Sequence, residues 1–73
     1  MTNTNLLKGR IMAKGFTVKK MAEAIGISHT SMSYKINNRR EFTVSEIQKI
    51  CDKLEITNKD PYFFNQKVDG MAT

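Results

Sequence analysis

Apolar residues along this chain recur at helical spacing, in blocks separated by turn-forming residues. Leu7 and Ile11 share a face of the first block, with Asn5 placed to cap it and Gly15 ending the pattern. Phe16 follows as a core anchor. Behind Thr17, whose hydroxyl suits a helix N-cap, Met21, Ala22 and Ile25 line one face of a second helix that stops at Gly26. Ile27 plugs the corner, Ser28 is the next cap, and Met32 and Ile36 form the buried side of a third helix. The stretch Thr43-Val44-Ser45-Glu46 has capping-box spacing, and Ile47, Ile50, Cys51 and Leu54 then fall at i, i+3, i+4 and i+7, one apolar stripe. Ile56 continues the core. Asp60-Pro61 predicts the start of a short last helix holding Tyr62, Phe63 and Phe64. Residues 1–4 are expected to fray, and the chain to be loose from about residue 66. The whole reads as one all-α domain of four to five helices spanning residues 1–73.

Residues 17–38 hold two helical patterns separated by a break that only a sharp turn can span, a helix-turn-helix. The outer side of its second helix carries His29, Thr30, Ser33 and Tyr34, polar without being highly charged. Such a face, on a helix that crosses its predecessor through a short glycine turn, is suited to a DNA major groove. Ser28, His29, Thr30, Ser33 and Tyr34 are therefore the candidate base contacts, although Tyr34 is equally suited to packing against a neighbouring helix. Thr17, Lys19, Lys35, Asn38, Arg39 and Arg40 flank that helix and are the candidate phosphate contacts; the Lys35 stem is also able to pack inward.

Charge strengthens this picture through its distribution. The 73 residues carry 12 Lys and Arg against 7 Asp and Glu, a net +5. Residues 1–40 hold eight basic residues and the single acid Glu23, whereas residues 41–73 hold four basic and six acidic residues. The basic half coincides with the helix-turn-helix, as expected of a protein that meets polyphosphate on one face. A chain this short builds only a small core and leaves little room for a deep catalytic cleft. Its serines form no nucleophile elbow, His29 has no ligand partner nearby in sequence, and Cys51 lies on the apolar stripe as a small core residue. No enzyme activity, metal or other cofactor is expected. A lone cysteine excludes an internal disulfide, and neither a membrane span nor a signal peptide is apparent.

The segment Thr17 to Arg39 resembles the Cro and lambda-repressor-like (Xre-type) helix-turn-helix family, and the resemblance extends over roughly residues 5–57. It is similar to small Cro-type regulators and modulators of repression from temperate phages. The resemblance assigns Ala22 to the close approach of the two helices, Gly26 to the turn, and Ile27 and Met32 to the core. It implies a lambda-repressor-like fold, a homodimer on near-palindromic operator DNA, promoter occlusion, and the cytoplasm of a bacterial host. Two departures stand out. The family often pairs an Arg late in its first helix with a Glu near the end of its third; the matching positions here are Ile11 and Ile36, expected to touch. Val18 replaces a Gln that commonly starts the second helix.

Three aromatic side chains in one helical run would spread through about 200° of arc. A core this small is not expected to bury all of them. Ile56, Pro61, Tyr62, Phe63 and Phe64 therefore form a candidate protein-partner surface. This surface, with Val18, supports a rival expectation: an antirepressor or co-repressor that binds a partner phage repressor.

Overall fold

The computed structural model describes residues 1–63, and within them the chain forms four helices: α1 (Thr4–Ala13), α2 (Val18–Ile25), α3 (His29–Ile36) and α4 (Val44–Leu54). None is long enough to be stable in isolation, so their shared core must hold them. That core comprises Leu7 and Ile11 of α1, Met21, Ala22 and Ile25 of α2, Met32 and Ile36 of α3, Ile47, Ile50 and Leu54 of α4, and Phe42 and Phe63 from outside the helices. Helix α2 packs against each of the other three, and α1 also packs against α3. Ile11 and Ile36 are both buried in this cluster, where the family pattern would place an ion pair. Val18 is half-buried and packs on the cluster's edge, which accounts for an apolar residue at that position.

The local signals for α2, α3 and α4 act as expected. The hydroxyls of Thr17, Ser28 and Thr43 accept hydrogen bonds from the amides of Lys20, Ser31 and Glu46, three residues on. At Thr43 the Glu46 side chain also accepts from the cap amide, completing the capping box. Gly26 ends α2 at φ +85°, a conformation that costs an L side chain energy and leaves glycine unstrained. After α3 the same task falls to Asn38, at φ +66°.

Both chain ends depart from expectation. Helix α1 is capped by Asn3 and not Asn5: the Asn3 side chain accepts from the Leu6 amide, and Thr4 Oγ1 donates to the Ile36 carbonyl 2.7 Å away. Residues 1–4 are tied down, with Thr2 only 4% exposed. Its amide donates to Asn38 Oδ1 (2.7 Å) and its carbonyl accepts from Asn38 Nδ2 (2.9 Å). Thr2 also forms an isolated antiparallel bridge with Phe63, beside a 2.8 Å bond from the Asn3 amide to the Tyr62 carbonyl. The expected last helix is absent as far as Phe63: residues 60–62 form a turn and Phe63 enters the bridge. The amides of Tyr62 and Phe63 both donate to the Lys59 carbonyl at 2.9 Å, so a single turn leads into the bridge, with Phe63 buried and Tyr62 half-buried. Phe64 and the segment expected to be loose lie outside the described residues.

Candidate nucleic-acid interface

On α3, Met32 and Ile36 point into the core, Thr30 and Tyr34 lie on the opposite side and Ser33 on the flank, while His29, almost in line with Ile36, is exposed because it opens the helix. His29, Thr30 and Tyr34 are exposed and Ser33 is half-buried. Sequence positions 29, 30, 33 and 34 form one stripe at helical spacing, and Asn37 extends it by another turn. Asn37 is exposed, and its side-chain amide donates to the Ser33 carbonyl. Its position four residues beyond Ser33 places it on the stripe, a signal obscured by its role as a turn former. Ser28 is exposed at the start of the stripe, its Oγ accepting from the Ser31 amide and its O–H left for donation.

The basic pair stands at the far end. The Arg39 and Arg40 guanidinium carbons lie 5.8 and 5.5 Å from the Tyr34 ring centroid, within the range of cation–π attraction. Tyr34 thus joins the polar stripe to the two arginines. Neither arginine has a carboxylate partner among the described residues. Lys19 is exposed at the start of α2, next to the exposed cap Thr17, whose hydroxyl oxygen accepts from the Lys20 amide and keeps its O–H for donation.

Two residues expected at phosphate have other partners. Lys35 Nζ reaches inward to Glu46, 2.6 Å from Oε1 and 2.8 Å from Oε2, with both side chains largely buried. Its position on α3 faces the start of α4, so its charge is neutralised inside the domain. Asn38 spends its amide on Thr2. Arg10 and Lys14 also have partners within the chain: Arg10 donates to the carbonyls of Leu54 and Glu55, and Lys14 pairs with the Glu55 carboxylate at 2.8 Å. Removing Arg10, Lys14 and Lys35 from the eight cations of residues 1–40 leaves Lys8, Lys19, Lys20, Arg39 and Arg40 for an external anion.

The expected partner surface is reduced in the same way. Phe63 packs edge-on against Phe42, with ring centroids 5.5 Å apart, and is 2% exposed. Of the remaining described members, Ile56 and Tyr62 are half-buried and Pro61 is exposed. Cys51 is half-buried, and burial followed by the charge of Asp52 pushes its thiol above the usual cysteine range, the opposite of activation. No helix among the described residues is long and apolar enough to cross a membrane. No curated protein matches the chain. A family model described as "Protein of unknown function (DUF739)" matches residues 3–66, and the chain therefore belongs to the DUF739 family.

Proposed function

We propose that this protein is a sequence-specific DNA-binding transcriptional regulator that places α3 in the major groove of operator DNA as a homodimer. One observation carries the reading. An exposed, hydrogen-bonding stripe on a helix capped at a tight turn ends against two arginines that lack an internal carboxylate partner among the described residues. In this reading His29, Thr30, Ser33 and Asn37 face base edges, while Arg39, Arg40 and Lys19 face phosphates. The resemblance to Cro-type phage regulators supports the same assignment and suggests repression by promoter occlusion. The rival reading, a module that binds a partner repressor, loses one of its three aromatic candidates, because Phe63 is taken up by the chain's own core.

Selection from a random duplex pool provides the test. The protein alone should enrich a near-palindromic site, and His29→Ala, Thr30→Ala and Ser33→Ala should each relax preference at particular base pairs by about 1–3 kcal/mol for a good base contact. A chain that enriches nothing alone, and does so only when a second regulator is added, would refute independent operator recognition.

A further inference from the structure

We propose that the turn after α3 is a preassembled clamp for the DNA phosphodiester backbone, in which Tyr34 and Asn38 are positioning residues that hold the Arg39 and Arg40 guanidinium groups ready. The proposal rests on the DNA-binding reading and changes the roles of two of its residues.

Two adjacent cations on one ring repel each other, and neither is ion-paired with a carboxylate among the described residues. A bound polyanion removes that opposition. Arginine forks suit phosphate oxygens, and holding them in place beforehand reduces the side-chain freedom lost on binding. Tyr34 supplies a common surface for both guanidinium groups, and its carbonyl accepts the Arg39 amide at 2.8 Å, so ring and turn are fixed to each other.

The course of the turn depends on Asn38. Its backbone is left-handed, and its side-chain amide makes a two-bond clasp with the Thr2 backbone. Thr2 is in turn buried against Phe63, and the next residues are fastened by Asn3 to the Tyr62 carbonyl and by Thr4 to the Ile36 carbonyl. The first four residues thus form a strap that secures the clamp to the core. Asn38 acts through this strap without touching phosphate, and Tyr34 acts through its ring without reading a base.

The test uses the full chain, a short random-sequence duplex and a salt titration. Replacing both arginines by alanine should lower the steepness of the log–log salt dependence by about 0.9 for each phosphate no longer neutralised. Tyr34→Leu should weaken binding by about tenfold by removing both cation–π interactions, Tyr34→Phe should recover most of that loss, and Tyr34→Leu should add little in the arginine-free background. Asn38→Gly keeps the left-handed backbone while removing the clasp, so it should follow the same non-additive pattern. Full additive losses in the arginine-free background, or a Tyr34→Phe defect equal to that of Tyr34→Leu, would overturn the positioning roles. NMR of the DNA-free protein separates the two levels: the Arg39 and Arg40 Nε–H signals should be displaced by the Tyr34 ring current and return to random-coil positions in Tyr34→Leu and Asn38→Gly. Undisplaced signals in the unaltered protein would refute the preassembled clamp whatever its DNA affinity. Displaced signals in a protein that binds no duplex would refute the DNA reading, and with it the phosphate role, leaving only the arginine–tyrosine arrangement.

Discussion

The Glu46 carboxylate serves two helices. Oε1 accepts from the Thr43 amide at 2.9 Å to complete the α4 cap, and both oxygens accept from Lys35 on α3. Burial opposes its charge, but the Lys35 hydrogen bond, the Thr43 amide and the Lys35 charge together outweigh this and hold its carboxyl below the usual glutamate range. The native state therefore binds fewer protons at this site than the unfolded chain. The corresponding stability is present above the ordinary glutamate pKa and is lost as pH falls through the lowered, folded value. Glu46→Gln should cost about 2–3 kcal/mol near neutral pH by leaving a largely buried ammonium without its carboxylate. Urea unfolding across the acid range checks this: the gap from the unaltered protein should narrow as Glu46 becomes protonated. A gap constant with pH would show that the charge contributes nothing. Half of this arrangement is legible in the sequence, because a capping box needs only local spacing; the Lys35 partnership depends on how α3 meets α4, which local spacing does not encode.

At the scale of elements, the same distinction separates caps from crossings. Thr17, Gly26, Ser28 and Thr43 can be placed from sequence because each acts within a few residues of its own helix. The capping of α4 by α1 cannot. Arg10 donates from Nε and Nη2 to the carbonyls of Leu54 and Glu55, each at 3.1 Å, satisfying groups that a helix end leaves unpaired. Those carbonyls lie more than 40 residues away in sequence. Glu55 ends α4 in a left-handed conformation, φ +56°, with its carboxylate held below the usual range chiefly by the Lys14 hydrogen bond. The two basic residues of α1 should contribute unequally. Arg10→Ala removes two charge-assisted bonds to backbone and should destabilise the domain by about 1.5–3 kcal/mol. Lys14→Ala removes an exposed, solvent-screened ion pair and should leave stability nearly unchanged. Equal losses in thermal or urea unfolding would mean that the carbonyl cap has no special weight, and that α1 and α4 are joined by apolar contact alone.

Over the whole molecule, the charge asymmetry identifies the basic half but overstates the cations available to a partner, since three of them act as internal fasteners. Within the aromatic run near the end, Phe63 departs from expectation for a related reason. Asp60-Pro61 is a sound helix start in isolation, but the bridge from Thr2 to Phe63 and the Asn3–Tyr62 bond draw the segment alongside the N-terminal strap. Phe63 then enters the core edge-on to Phe42, so the two ends of the described chain close the fold together. A ring in this position has a measurable signature. Phe63→Ala should lower unfolding stability by about 3–5 kcal/mol, a large share of the roughly 5–15 kcal/mol typical of a domain. It should do so at protein concentrations where only monomer is present. As a partner contact, the same substitution would leave monomer stability nearly unchanged and alter only association. Urea unfolding and sedimentation of one sample therefore distinguish the roles, and a drop below about 1 kcal/mol with weakened self-association would return Phe63 to the surface. The expected large drop would instead make closure by Phe63 a condition for the strap, because Thr2 bridges to Phe63 on one side and is clasped by Asn38 on the other.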